Sequence, residues 1–201
     1  MHRIPSPTKD EIAELAPLER LGLDNIVVVS TRQQADHAFS LLDASSVLGF
    51  DTESKPTFVK DEVSAGPHIV QFSTQYKAYV FQLHDTACIE AVSELLISKR
   101  VTKVGFGLAG DHMQIKRTLG VLPNKVLDLN VIFREKGYGK ELGVRGAIAV
   151  MFKRRFVKSR KATTSNWSNK QLTESQIIYS GNDAWAAIQV YHALGLSPDP
   201  F

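Results

Sequence analysis

Four carboxylates stand where this chain is otherwise apolar, and they restrict what it can fold into. Asp51 and Glu53 end the apolar run of VLGFDTES, Asp111 lies in VGFGLAGDHMQIKR, and Asp183 follows Tyr179 by four residues in IIYSGNDAWAAIQVY. Acids gathered in a core cost several kcal/mol each unless a cation neutralises them. A cage of oxygen donors suits Mg²⁺ or Mn²⁺, and a pair of such ions is a route to in-line attack on a phosphodiester.

Each acid also has a plainer reading. Asp51 and Glu53 are two apart on a predicted strand, so they share a face, but a lone D-x-E is weak and also describes solvated acids at a strand end. Tyr179 and Asp183 share a helix face, and Ile177, Ile178, Ala184, Ala187, Ile188 and Tyr191 wrap most of that helix. A mid-helix aspartate there needs a partner, and a salt bridge to lysine or arginine serves as well as a metal. Asp111 opens a helix after the glycine-rich turn 105–110, where an acid complements the helix dipole. No Gly-Lys-Ser/Thr follows those glycines, which argues against a nucleotide loop and for close approach of backbone or substrate.

The spacing predicts one α/β domain of mixed strand directions. Residues 1–25 read as an arm with a short helix capped by Thr8 and Glu11; residues 26–196 form the domain proper. IVVVS is a strand, and Thr31 and Gln34 form a second capping box. Residues 46–83 read as a three-stranded antiparallel meander. VTKVGF and KVLDL are further strands, 129–152 is helical in two pieces split near Gly137–Gly139, and Thr173 with Gln176 caps the last long helix. Asp128 suits an N-cap. Adjacent residues diverge on a helix, which argues against His112 as a ligand beside Asp111, and Trp167 is expected to pack its loop onto the body.

The chain's 201 residues, 43% of them hydrophobic and 22% charged, suit a single globular core. One cysteine, Cys88, excludes an intramolecular disulfide. No signal-like leader and no membrane-length apolar run is present in MHRIPSPTKDEIAELAPLER or beyond it, so the expected location is intracellular, cytoplasmic if bacterial.

The order D-x-E, then G-x-G-x-x-x-D, then Y-x-x-x-D resembles the three motifs of the DEDD 3′→5′ exonucleases, and the tyrosine marks the DEDDy subgroup. The stretch SNWSNKQLTESQIIYSGNDAWAAIQVY is similar to the Werner-syndrome exonuclease and ribonuclease D branch. The resemblance covers about residues 26–194. It implies a ribonuclease-H-like fold, a five-stranded mixed sheet flanked by helices. It also implies two divalent cations, Mg²⁺ or Mn²⁺, held by Asp51, Glu53, Asp111 and Asp183, with Tyr179 positioning the attacking water. The partner would be DNA or RNA with a free 3′ end, and the product a nucleoside 5′-monophosphate. The chain departs from the pattern at Ser54, Lys55 and Pro56, where relatives carry tryptophan or an apolar pair, and at Ser180 and Gly181, where they carry alanines. With so few residues after the last helix in this sequence, the extra helical domain of ribonuclease D is not expected within it.

A net charge of +3 is mild, so its placement matters more than its size. The basic run KRRFVKSRK offers Lys153, Arg154, Arg155, Lys158, Arg160 and Lys161 to a phosphate backbone, or is an ordinary solvated loop. Phe58 and Leu108 are candidates to stack on terminal bases, with core packing the alternative for both. The rival function is an exonuclease-fold module that binds nucleic acid or a protein without cleaving. Loss of an acid would mark it, and all four acids and the tyrosine are present.

Overall fold

In the computed structural model, residues 4–57, 63–138 and 141–198 are described. A six-stranded sheet runs in the order β1-β4-β3-β2-β5-β6. The strands are β1 (Ile26–Val29), β2 (Val47–Glu53), β3 (Ile69–Ser73), β4 (Ala78–Gln82), β5 (Thr102–Gly105) and β6 (Val126–Asp128). The meander expected over 46–83 is present, with β3 antiparallel to both β2 and β4. β5 pairs parallel with β2, and β6 with β5.

The five strands implied by the resemblance become six. The additional one is β1, parallel to β4 in the register Ile26↔Ala78 to Val29↔Phe81. It covers the edge that β4 would otherwise present to solvent.

Helices cover both faces. On one, α2 (Arg32–Asp43) and α3 (Thr86–Ile97), with Ile115 of α4 (Ala109–Leu119), bury Leu48, Phe50, Phe72 and Phe81. On the other lie α5 (Leu129–Glu135), α6 (Gly143–Phe152) and α8 (Glu174–Ala193), preceded by the one-turn α7 (Arg160–Thr163). Cys88 is buried, and its thiol donates to the Val29 carbonyl at 3.4 Å. No helix among the described residues is long and apolar enough to cross a membrane.

The caps explain where helices begin. Thr8 and Glu11 close a full capping box on α1 (Lys9–Glu14), as Thr173 and Gln176 do on α8. The box expected at Thr31 is half made. Its hydroxyl accepts from the Gln34 amide at 3.4 Å, but the Gln34 side chain reaches one residue further, to the Ser30 amide at 3.0 Å. The N-terminal segment is tied down: the Arg155 guanidinium donates to the Ala13 carbonyl at 2.8 Å, and the Arg155 amide to Ala16 at 2.8 Å.

α8 sits directly on β2 because Gly49 carries no side chain. A Cβ there would come 1.9 Å from the Ala184 carbonyl oxygen. The Ser180–Gly181 departure has a matching partner, since a Cβ on Gly181 would meet Ile26 side-chain atoms at 2.8–3.0 Å. Glycine's helix cost of up to about 1 kcal/mol is thereby offset by close packing of β1. Gly49→Ala is expected to destabilise the protein by at least about 2 kcal/mol, because backbone rather than a flexible side chain blocks the new methyl; urea unfolding measures it. Gly181→Ala, which meets only the movable Ile26 side chain, should cost less.

Candidate active site

The end of β2 and the middle of α8 bring the acids together. Ligand oxygens of Asp51, Glu53 and Asp183 lie within 4.8 Å of one another. Asp51 and Glu53 reach this point because alternate strand residues share the face on which α8 packs. Asp183 is 4% exposed. Asp111 lies beside the trio rather than within it, and its carboxylate accepts a short hydrogen bond from the Thr52 hydroxyl. The Thr52 amide in turn donates to Asp51 at 2.9 Å, so Thr52, between Asp51 and Glu53, links Asp111 to Asp51.

Crowding shows in the acidities. Burial pushes the Asp51 carboxyl up to about 8, and the charge of Asp183 adds to it while Lys158 opposes it. Glu53 is driven to about 9, by burial and then by Asp51. Burial also raises Asp111, with the Thr52 hydrogen bond working against it, and raises Asp183 against the pull of Lys158. Burial holds the Tyr179 hydroxyl near 12, so it remains a neutral donor at ordinary pH.

Tyr179 is fixed from the side. Its ring packs at 45° against Trp167, with centroids 5.8 Å apart. Trp167 is 1% exposed and seats its loop as expected. The Gln176 amide donates to Ser165 at 3.0 Å and to the Asn166 carbonyl at 3.2 Å, and Gln82 holds the Asn169 and Lys170 carbonyls. The SNWS segment is thus clamped against the turn of α8 that bears the tyrosine. Asp128 is the N-cap of α5, accepting from Asn130 at 2.9 Å. Its other oxygen accepts from the Leu108 amide at 3.1 Å, which fixes the glycine-rich turn before Asp111.

The basic run divides. Lys153 caps α6 in a left-handed conformation (φ 54) and is exposed with Arg154, and Arg160 and Lys161 are exposed on α7. Arg155 is committed to the N-terminal segment rather than offered to a strand of nucleic acid. Lys158 turns inward: its ammonium is 2.6 Å from Asp183 Oδ2 and 5.2 Å from the Tyr179 ring centroid. Leu108 is 1% exposed and belongs to the core, so its packing alternative holds. Phe58 lies outside the described residues. The sequence reading missed Arg145, which lines a cleft of about 460 Å³ with Asp51, Phe106, Lys158 and Asp183. A second hollow of about 500 Å³ continues past Arg145 and Lys158 to Lys9 and Arg160.

A sheet carrying buried, converging acids at one strand end, with a cleft opening onto them, defines an α/β protein whose carboxylates could hold a metal ion. The sequence profile of the 3′-5′ exonuclease family matches residues 26–197, and the chain belongs to that family. It is similar to the mouse bifunctional 3′-5′ exonuclease/ATP-dependent helicase WRN, 28% identical over 156 residues, which cover 77% of this chain and 11% of that protein. Among solved structures, the Aedes aegypti Nibbler EXO domain superposes with a TM-score of 0.75 at 19% identity, covering 92% of this chain and 96% of that one. Trypanosoma brucei RNase D in complex with RNA U12 superposes with a TM-score of 0.75 at 18% identity, covering 94% and 66%. These likenesses establish the ribonuclease-H-like fold of the exonucleases. The chain spans 11% to 54% of the length of the curated relatives it matches.

The raised pKa values of these carboxyls dictate a pH dependence. Asp51 and Glu53 hold protons in the folded protein up to about 8 and 9, against 3.8 and 4.5 for the ordinary groups. Between these limits the folded state binds more protons than the unfolded one, so stability falls as pH rises. In EDTA the thermal midpoint should drop steadily from pH 5 to pH 9, by calorimetry. Asp51→Asn should flatten the drop, and Mn²⁺ should oppose it by favouring the ionised carboxylates.

Proposed function

We propose that this protein is a metal-dependent 3′→5′ exonuclease of the DEDDy type, releasing nucleoside 5′-monophosphates from a DNA or RNA strand with a free 3′ end. The convergence of Asp51, Glu53 and Asp183 to within 4.8 Å carries the reading. The donor set is all carboxylate oxygen, the preference of Mg²⁺ and Mn²⁺. The one lysine in contact among the described residues leaves the cluster short of positive charge, and burial, with the neighbouring acids, keeps Asp51 and Glu53 protonated well above the usual carboxylate range. These residues therefore fit a pair of divalent cations.

Asp51, Glu53 and Asp183 would hold the ions, with Asp111 contributing from beside them through its link to Thr52. Such ions, when bound, would lower the pKa of a nucleophilic water and stabilise the leaving 3′ oxygen. Tyr179, uncharged and held by Trp167, orients the attacking water by hydrogen bonding. The cleft at Phe106 and Arg145 leads the strand to the acids. Exposed Lys153, Arg154, Arg160 and Lys161 meet phosphates further along, which makes binding weaken with salt.

The test uses 5′-labelled single strands of DNA and of RNA with Mg²⁺, Mn²⁺ or EDTA. The expected result is a ladder shortening from the 3′ end that requires metal. Asp51→Ala should lower the rate by at least about 10³-fold and abolish tight Mn²⁺ uptake, as removal of a metal-holding acid demands. Tyr179→Phe should cost about 10²-fold while metal uptake persists. A folded protein that binds Mn²⁺ yet shortens neither strand would favour a binding module instead.

A further inference from the structure

The placement of Lys158 is not accounted for by a general role in tracking phosphates. Its side chain is 19% exposed and that of its partner Asp183 is 2% exposed. The ammonium lies inside the acidic centre, 2.6 Å from Asp183 Oδ2, and above the Tyr179 ring. It is the one cation in direct contact with these acids among the described residues. An ammonium and a divalent ion cannot both use that oxygen at contact distance. Even on the other oxygen of Asp183, the ion would stand a few ångström from the ammonium, where like charges in a poorly hydrated site repel strongly.

We infer that Lys158 is a tethered counter-cation that competes with the divalent ion for Asp183, and thereby sets how tightly this centre takes up metal. The inference rests on the metal-dependent reading above. Two features of the site support it. A buried carboxylate is stabilised by a paired charge, and Lys158 supplies one to Asp183. Lys158 also lines both the 460 Å³ cleft and the adjoining 500 Å³ hollow, so its long flexible stem has space into which the ammonium can withdraw.

The experiment is titration of the chelator-stripped full chain with Mn²⁺ by calorimetry, for the wild type, Lys158→Met and Lys158→Arg. Lys158→Met should bind Mn²⁺ about tenfold more tightly, the order expected when a buried charge pair no longer has to be broken first. It should also melt lower than wild type in EDTA and gain more from Mn²⁺. Lys158→Arg keeps the charge and should stay near wild-type affinity. An independent readout needs no variant: acetylation of wild-type lysines, mapped by mass spectrometry, should show Lys158 several-fold more reactive at saturating Mn²⁺ than in EDTA, with Lys9 unchanged. Unchanged or weaker Mn²⁺ binding by folded Lys158→Met, or unchanged labelling of Lys158, would overturn the inference while leaving the exonuclease reading intact. Failure of the folded wild type to take up Mn²⁺ at all would overturn both.

Discussion

The missing side chain of Gly49 sets the distance between α8 and the central strand, and the acidic centre follows from that distance. The blocking atom for any larger residue is the carbonyl oxygen of Ala184, the residue next to Asp183. Helix and strand are therefore in contact at the point where the acids must meet. Four successive residues of α8 use the roughly 100° turn per residue to make four different contacts. Gly181 admits Ile26 of β1. Asn182 grips the backbone of Leu21, accepting from its amide at 2.9 Å and donating to its carbonyl at 3.1 Å. Asp183 faces Asp51 and Glu53, and Ala184 seats on Gly49. A helix held on three sides cannot rotate its fourth side away, so Asp183 is kept against acids that repel it once they ionise.

That repulsion is tolerated because apolar burial around it is extensive. Leu48, Phe50, Ile69, Phe72, Val80, Ile188 and Tyr191 are all essentially inaccessible to solvent, and each such side chain contributes on the order of 1.5–3 kcal/mol. The core thus supports a local arrangement that would not persist alone. This is the usual relation between a scaffold and a centre built to hold charge: the acids are destabilising to the fold and are poised to gain from a cation.

Much of this was legible in the residues. The strand and helix periods placed Asp51 with Glu53 and Tyr179 with Asp183, since both follow from local geometry. The expectation that Trp167 packs its loop onto the body holds, and the hydrogen bonds of Gln176, expected only as a cap, show how that loop is tied to α8. The alternatives left open at Asp183 were a salt bridge or a metal. Lys158 supplies the salt bridge in contact, while the convergence of Asp51, Glu53 and Asp183 leaves a place that could hold a metal as well. What could not be read was which member of KRRFVKSRK turns inward. Lys153, Lys158 and Lys161 look alike in sequence, and only the tertiary course of the chain separates a helix cap, an ion pair and a solvated side chain. Arg155 is the same case, since its partner carbonyl at Ala13 lies far away in the chain. The sixth strand was visible as IVVVS, but its pairing with β4 was not, because parallel pairing across a long connection leaves no local mark.

The N-terminal segment and the acidic centre are joined through this basic stretch. Arg155 donates to Ala13 and Ala16, and its carbonyl accepts from the Leu18 amide at 2.9 Å. The Arg20 guanidinium donates to the Val157 carbonyl at 3.2 Å. Between them Phe156 is 4% exposed and anchors the stretch in the core. The backbone is thus held at three consecutive residues immediately before Lys158, and Ser159 then caps α7 by accepting from Ala162 at 3.2 Å. A long, flexible side chain loses rotamer entropy when it is aimed into a buried site, and a fixed backbone on both flanks removes part of the freedom it would otherwise retain. Residues 13–20 therefore do more than cover an edge of the domain. They hold the strand of chain from which the ammonium reaches Asp183, which places the aim of Lys158 under the control of a segment that contributes no acid to the centre.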